Sequence, residues 1–218
     1  MRQHPVITVD GTAASGKGTL ARMLAEAYNG AWLDTGLLYR WVGYRADSAE
    51  RAIELAQALG AGFELEMMAD PALRSEKASD GASLYSSIPE VRSALTAVQR
   101  YFADTLPAGR NVVVMDGRDI GTVIVPDAPI KFFVNADLEL RAQRRTKELQ
   151  SSSNSASYEA VLEAMRQRDA RDINRVVAPT VAAPDACLID TTNLGVAEML
   201  EQAKAHIALK VPELRAVR

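Results

Sequence analysis

The sequence predicts an α/β fold in which a central parallel sheet of about five strands is covered by helices on both faces. Five short apolar runs have the length and composition of buried strands, and amphipathic helical patterns lie between them. Strands that alternate with helices favour parallel pairing. In such sheets, ligands bind beyond the carboxyl ends of the strands.

The predicted strands are, in chain order, Val6 to Val9, Ala31 to Leu33, Val112 to Met115, Ile130 to Val134 and Cys187 to Ile189. Apolar residues with i, i+3, i+4, i+7 spacing predict helices at 20–27, 91–102 and 196–207. Residues 60–83 are polar and contain Gly, Pro and Asp, so we predict an irregular inserted flap. The low-complexity run at 151–157 predicts a mobile loop.

Composition limits the class of protein. The 218 residues suffice for one domain, and the net charge of −3 argues against a general nucleic-acid coat. No apolar run approaches the roughly 20 residues of a bilayer span, so we expect neither a membrane partner nor a cleaved leader. The single cysteine, Cys187, excludes an intrachain disulfide and favours a cytoplasmic location. No long apolar patch or heptad repeat in the sequence indicates a subunit interface, so we expect a monomer.

The segment ITVDGTAASGKGTLARML carries the strongest chemical signal. It has the P-loop pattern Gly11-x-x-x-x-Gly16-Lys17 between a strand and a helix, although Gly18 follows the lysine and the hydroxyl comes at Thr19. Backbone N–H groups and the helix dipole would bind phosphates. We predict that the phosphates of a nucleoside triphosphate contact Gly11, Thr12, Ala13, Ala14, Ser15, Gly16, Lys17, Gly18 and Thr19. The pattern alone does not separate kinases from GTPases or motor ATPases. Thr19, or alternatively Ser15, is the predicted Mg²⁺ ligand. The alternative to a phosphate site is a chance glycine-rich turn with no ligand.

Two arginines follow strands on the ligand side of the predicted sheet. Arg40 ends the segment DTGLLYR after the second strand, and Arg118 lies in DGRDIGT after the third. A kinase whose acceptor is itself a phosphate must hold two anions close together, and arginine binds phosphate bidentately. The alternative for each segment is a capped turn, with Asp34 or Asp116 as a helix N-cap.

A third charged segment, RQRDARDINR, covers residues 166–175. A helical stripe that begins with apolar side chains continues through charged ones, in the order Val161, Met165, Arg168, Asp172, Arg175. Charges that continue an apolar stripe suggest a helix that runs from the core into a cleft. The alternative is a solvated helix surface with i, i+4 ion pairs.

The chain resembles the bacterial cytidylate kinases. The resemblance runs from about Val6 to Thr192 through DGTAASGKGTLA, LDTGLLYR, PEVR, DGRDIGTVIVPDAP and RDARDINRVVAP. It implies a P-loop kinase fold, with residues 1–218 as a single nucleoside monophosphate kinase domain, an NMP-binding insert at about 60–88 and a short lid at about 145–160. It also implies Mg²⁺-dependent transfer of the ATP γ-phosphoryl group to CMP or dCMP.

The resemblance implies roles for individual residues. The CMP phosphate would contact Arg40, Arg118 and Arg175; the ribose would contact Thr35, Arg168 and Asp172; the base would contact Ser83, Arg92 and Asp119. Asp116 would orient Mg²⁺ through water, and it forms the catalytic set together with Lys17, Arg118 and Arg175. The transferring phosphoryl group could contact Arg141, Arg144 or Arg145, which the sequence does not rank. The insert is shorter than the small antiparallel sheet usual in the family, and Thr35 replaces the commoner serine.

Two other functions are weighed against this one. A different small-acceptor kinase, for UMP, AMP or shikimate, would share the P-loop but would not be expected to carry DGRDIGT together with RDARDINR. A regulatory nucleotide-binding module without catalysis would not need the lysine and all three arginine segments intact.

Overall fold

The computed structural model describes residues 2–151 and 156–217. In that part of the chain, five parallel strands form one sheet in the order β2-β3-β1-β4-β5, which confirms the predicted architecture. The strands are β1 (Val6–Gly11), β2 (Gly30–Asp34), β3 (Val112–Gly117), β4 (Ile130–Asn135) and β5 (Cys187–Asp190). Every predicted run lies inside one of these strands, because a parallel sheet covered on both faces requires continuous apolar segments.

Helices connect the strands and cover both faces of the sheet. They are α1 (Lys17–Ala27), α2 (Gly36–Arg45), α3 (Ala49–Ala61), α4 (Glu76–Tyr85), α5 (Pro89–Asp104), α6 (Leu138–Ser151), α7 (Tyr158–Ile173) and α8 (Val196–Lys210). Shorter turns are the 3₁₀ segments Leu65–Ala69 and Pro71–Arg74 and the π-helical turn Ile120–Ile124. Within residues 2–151 and 156–217, every helix is too short or too polar to serve as a bilayer span.

Alternate strand residues form two cores, one on each face of the sheet. Val113 and Met115 of β3 pack with α2, α3 and α5, whereas Val112 and Val114 pack with α1 and α8. All four side chains are fully buried, and each such burial contributes about 1.5–3 kcal/mol. Because the sheet is well packed on both faces, the residues at the strand ends are held in fixed positions.

The insert between α3 and α5 corrects the prediction of an irregular flap. Most of residues 60–83 are helical, and helices also replace the small antiparallel sheet that the resemblance suggests for a longer insert. The Ser75 hydroxyl begins α4 by accepting from the Ala78 N–H at 3.2 Å. A Cβ on Gly43 of α2 would lie 2.3 Å from the Ala82 nitrogen, and one on Gly81 would lie 2.3 Å from the Gly43 oxygen. The backbones of α2 and α4 therefore touch.

Helices α6 and α7 pack against each other beside the loop that follows β1. Their small core contains Ala142, Leu149, Val161 and Met165. Residues 152–155, which hold much of the predicted mobile loop and part of the predicted lid, lie outside the described residues. The predicted stripe on α7 is correct through Asp172 but wrong at Arg175, because the helix ends at Ile173.

Candidate active site

The loop between β1 and α1 has the strand–turn–helix geometry that the P-loop pattern predicts. Gly11 has φ 151°, and a Cβ there would lie 2.0 Å from the Val134 carbonyl oxygen, so only glycine fits beside β4. Ala14 and Gly16 also have positive φ values, 56° and 93°. Such a loop turns N–H groups inward, and α1 adds the positive end of its dipole at Lys17. The result is a cradle for phosphate groups.

The hydroxyl groups of this loop have different surroundings. Thr12 Oγ1 donates to Asn135 Oδ1 at 2.7 Å, and the buried Ser15 hydroxyl donates to the Thr12 carbonyl at 3.0 Å. Thr19 is exposed on α1 and lines neither of the two cavities at the sheet edge. Thr12 and Ser15 are therefore part of the loop framework, and Thr19 is not brought to the strand ends.

Two neighbouring cavities lie at the carboxyl edge of the sheet. The strand-end cavity, of about 190 Å³, is lined by residues at and just beyond the carboxyl ends of β2 and β3, together with residues of α1, α4, α5 and α7. The α4–α7 cavity, of about 580 Å³, is bounded by the phosphate loop, α4, α6 and α7. Both cavities are lined by Lys17, Arg40, Ser83, Arg118 and Arg168. Four of these five shared residues are cations.

Lys17 is one of these shared residues. Its Nζ donates to the Thr12 carbonyl oxygen at 3.4 Å. Burial and the positive charge of Arg118 lower the pKa of Lys17, against the opposing effect of Asp116. Burial and the neighbouring Asp34 raise the pKa of Asp116. A bound phosphate would raise the pKa of Lys17 again, because an opposite charge nearby favours the ammonium form.

Asp34 is the last residue of β2 and pairs with Asp116, the penultimate residue of β3, and both line the strand-end cavity. Asp34 Oδ1 accepts from the Gly36 N–H at 3.0 Å, and Asp116 Oδ1 accepts from Trp32 Nε1 at 2.8 Å. The Thr35 hydroxyl donates to the Asp116 carbonyl at 2.8 Å. Neither aspartate is a helix N-cap, since Thr35 occupies that position in α2 and Asp116 lies within β3. The pair presents hard oxygen ligands beside the phosphate loop.

Asp172 on α7 connects two of the predicted phosphate ligands. Arg118 Nε donates to its Oδ2 at 3.1 Å, and an Arg175 nitrogen lies 4.0 Å from its Oδ1. Burial raises the pKa of Asp172, but Arg118, Arg168 and Arg175 outweigh burial and lower it. Arg175 reaches the cluster from beyond α7, where its guanidinium donates to the Ala178 carbonyl at 2.7 Å.

Arg40 and Arg168 are held by neutral partners. Arg40 donates to the Leu73 carbonyl and Arg168 to Ser79 Oγ, each at 3.1 Å. Burial lowers the pKa of both guanidinium groups, that of Arg168 to about 10. Among the described residues, the buried Nε atoms of Arg168 and Arg175 find no hydrogen-bond partner. Partly buried cations whose buried donors are unused suit an anionic ligand.

A buried ion pair lies in the wall of the strand-end cavity. Arg92 of α5 donates to Asp119, and their side chains are 7% and 8% exposed. Burial raises the pKa of Asp119, and Arg92 opposes the rise. Tyr39, whose ring centroid is 5.7 Å from the Arg92 guanidinium, lines this cavity together with Ser83 and Ser86. Tyr39 and Ser86 were missed because no pattern in the sequence marks them.

The structure separates the three arginines of α6. Arg141 forms a 2.7 Å ion pair with Asp169 and so joins α6 to α7. Arg144 donates to the Thr191 carbonyl at 2.8 Å. Arg145 is the one of the three that lines the α4–α7 cavity.

Asp10, at the end of β1, is a buried carboxylate that sequence reasoning missed. It accepts from the Ile120 N–H at 2.8 Å and from the Gly121 N–H at 2.7 Å. Burial raises the pKa of Asp10 to about 7, although these hydrogen bonds favour the carboxylate. Asp10 thereby holds the π-helical turn next to Asp119. The signal available in the sequence is a charged residue at the end of an apolar strand.

Comparison with known proteins gives close relatives along nearly the whole chain. The family model described as cytidylate kinase matches residues 7–209. A cytidylate kinase of Paramagnetospirillum magneticum is 46% identical over 208 residues, which cover 94% of this chain and 98% of that protein. Another, from Bradyrhizobium diazoefficiens, is 47% identical over 194 residues, with 88% and 90% covered.

Solved structures of low identity share the fold. An uncharacterized protein from Eubacterium ventriosum has a TM-score of 0.51 at 16% identity, with 94% of this chain and 98% of that chain covered. A Thermus thermophilus protein has a TM-score of 0.50 at 18% identity, with 96% and 99% covered. The family model spans both the phosphate loop and the arginine segments, and the two relatives are 46–47% identical over most of the chain. The chain therefore belongs to the cytidylate kinase family.

Proposed function

We propose that this chain transfers the γ-phosphoryl group of ATP to CMP or dCMP. The observation that carries the proposal is that Lys17, Arg40, Arg118 and Arg168 line both cavities at the sheet edge. Transfer between two phosphates requires two anions to be held close together, and cations shared by adjoining cavities offset their repulsion. Membership of the cytidylate kinase family supports CMP and dCMP as acceptors.

On the donor side, we propose that the loop amides and Lys17 bind the ATP phosphates. Asp34 and Asp116 present carboxylates to the cavity that Gly18 also lines, and their mutual repulsion contributes to the raised pKa of Asp116. A divalent cation with oxygen ligands would relieve that repulsion, so these residues fit Mg²⁺, with Asp116 contacting its water shell. The exposure of Thr19 favours the carboxylates over this hydroxyl. Bound with ATP, Mg²⁺ neutralises charge on the phosphates.

On the acceptor side, Arg40, Arg118 and Arg175 would hold the CMP phosphate in line with the γ-phosphorus. Thr35, Arg168 and Asp172 would contact the ribose. All six line the strand-end cavity. The lowered pKa of Asp172 supports its role, because a carboxylate accepts a hydrogen bond from a sugar hydroxyl.

The base would be read by Asp119 and Arg92, with Ser83 beside them. Cytosine presents the N4 amino group as a donor next to the acceptor N3. A carboxylate and a guanidinium fixed side by side in an ion pair complement that pattern. Uracil has a carbonyl oxygen in place of the amino group and would face the Asp119 carboxylate unfavourably.

The chemistry follows from positioning and charge. A CMP phosphate oxygen is already largely ionised near neutral pH, so no side chain is needed as a general base. Lys17, Arg118 and Arg175 would stabilise the charge spread over the transferring group, and Arg145 reaches the same region from α6. The predicted insert at about 60–88 and lid at about 145–160 would exclude water from the reaction.

The remaining predictions about partners also belong to this proposal. We expect ATP and CMP or dCMP as the substrates, with no nucleic-acid or membrane partner, and a monomeric, cytoplasmic protein. The net charge of −3 and the single cysteine support these expectations. Size-exclusion chromatography with light scattering measures the oligomeric state directly.

The decisive experiment is a coupled ADP-release assay with ATP and Mg²⁺ that offers CMP, dCMP, UMP and AMP side by side. We expect strong preference for CMP and dCMP. The Lys17→Ala variant serves as the inactive control for contaminating kinases. Turnover with none of the four, in a protein that ATP stabilises against heat, would mean that the arginines hold another anion and would overturn the proposal.

A further inference from the structure

Trp32 of β2 contacts the carboxylate that the proposed function places next to Mg²⁺. Trp32 and Asp34 lie on the same face of β2, where Trp32 pairs with Val114 and Asp34 pairs with Asp116. The Trp32 indole is therefore a diagonal neighbour of Asp116, within reach of a long side chain. Its Nε1–H donates to Asp116 Oδ1 at 2.8 Å, a short bond in a partly buried position.

The two oxygens of Asp116 consequently face different surroundings. Oδ1 is bound by Trp32. Oδ2 lies beside the first turn of α1, because a Cβ built on Gly18 would be 3.6 Å from it. Gly18 follows Lys17 directly, so Oδ2 is directed toward the end of the phosphate loop.

We propose that Trp32 is a positioning residue for phosphoryl transfer, in that its indole N–H fixes the Asp116 carboxylate with Oδ2 turned toward the Mg²⁺·ATP site. The inference rests on the proposed function, which assigns Asp116 to the water shell of Mg²⁺. Outer-shell partners of a metal site commonly change metal affinity or activity by about 10–100-fold when they are removed.

Packing alone does not account for this arrangement. The indole contacts the core on the α1 and α8 face of the sheet, as an aliphatic residue would. A tryptophan N–H, however, needs a polar partner when it leaves water. Here that partner is one oxygen of a buried carboxylate at the strand end.

The first test uses the indole as its own reporter. The chain has two tryptophans, and Trp41 lies on α2, where the Arg45 guanidinium stacks 4.6 Å from its ring. In a Trp41→Phe background, MgCl₂ titrated into protein with ATP should change the Trp32 emission with saturation. The same titration in Trp41→Phe/Asp116→Ala should lose this Mg²⁺-dependent change. An unchanged emission in the first protein, or an equal change in both, would overturn the proposal.

The second test separates positioning from packing. In Trp32→Phe, the MgCl₂ concentration for half-maximal activity should rise about tenfold, while the KM for CMP stays within about twofold. Trp32→Tyr, which again offers a donor, should recover part of the loss, and Trp41→Phe should match the unaltered chain. An unchanged Mg²⁺ requirement, or a lower melting temperature as the sole effect, would show that Trp32 only fills space.

Failure of this inference and failure of the proposed function give different results. A protein that shows the Mg²⁺-dependent emission change but phosphorylates neither CMP nor dCMP contradicts the proposed function alone. A protein that phosphorylates CMP with an unaltered Mg²⁺ requirement in Trp32→Phe contradicts the role of Trp32 alone.

Discussion

Adding one methyl group where α2 crosses α4 should destabilise the protein by a defined amount. A Cβ on Gly43 would lie 2.3 Å from the Ala82 nitrogen and 2.4 Å from the Gly81 carbonyl carbon, and these backbone atoms cannot rotate away. To reach 3.0 Å, the helices must separate by about 0.7 Å. Overpacking of this kind costs about 1–3 kcal/mol. Alanine recovers about 0.5–1 kcal/mol of helix propensity over glycine, so we expect a net loss of about 1–2 kcal/mol in Gly43→Ala.

Gly60 provides a matched control on α3. A Cβ there would meet its nearest neighbour, the Ala94 oxygen, at 3.7 Å, an ordinary contact. Gly60→Ala should therefore leave the free energy of unfolding unchanged or raise it by up to about 1 kcal/mol. Urea unfolding followed by circular dichroism gives both values. Because α4 carries Ser83 to both cavities, Gly43→Ala should also raise the KM for CMP.

Equal stabilities of the Gly43→Ala and Gly60→Ala proteins would refute the backbone contact between α2 and α4. A clear loss of stability in Gly43→Ala with an unchanged KM for CMP would still support the backbone contact. In that case, the position of α4 would not control binding of the acceptor.

Three further predictions concern charged residues. Lys17→Ala should lower kcat about 10²–10³-fold, because a preorganised donor to the transferring group is lost; steady-state kinetics that show near-normal turnover would contradict this role. Asp119→Asn should reduce the discrimination between CMP and UMP by about 10–100-fold in kcat/KM, and an unchanged ratio would exclude Asp119 as the reader of the base. Burial raises the pKa of Asp10 to about 7 in the folded protein, against an ordinary aspartate value of 3.8, so the folded state binds an extra proton between these two pH values. As pH rises from 4 to 7, the unaltered chain should therefore lose stability relative to Asp10→Asn, by at most about 1.4 kcal/mol per pH unit. Urea unfolding at several pH values measures this difference, and parallel stability curves would mean that the carboxyl titrates normally.

The elements predicted well are those whose burial can be recognised from a few consecutive residues. The short, valine-rich run Val112 to Met115 favours a covered strand over a helix, and the end of that strand carries the DGRDIGT segment to the site. The phosphate loop is equally local, because its glycines, lysine and flanking elements are contiguous. The fold and the place of the site could therefore be predicted from short segments.

The elements missed depend on contacts between distant parts of the chain. Helix α4 lacks a strong apolar stripe because its neighbour touches it through Gly43 and Gly81, so its sequence looks like a loop. The Asp10 carboxylate accepts hydrogen bonds from backbone amides 110 and 111 residues away, and the Trp32 indole donates to a carboxylate 84 residues away. Arg175 lies beyond the end of α7, so the helical spacing of the sequence does not predict where its side chain lies.

The cations shared by the two cavities also affect how long the protein survives in a cell. Arg168 is partly buried among other positive charges, and its lowered pKa reflects the cost of keeping it charged there. A nucleotide that binds among these groups offsets part of that cost, and its binding stabilises the folded state by about 2.7 kcal/mol in total at a hundred times its Kd. Proteolysis that proceeds through transient opening follows the population of open molecules. The lifetime of this enzyme should therefore follow the nucleotide pool, with molecules lost fastest when nucleotides run low.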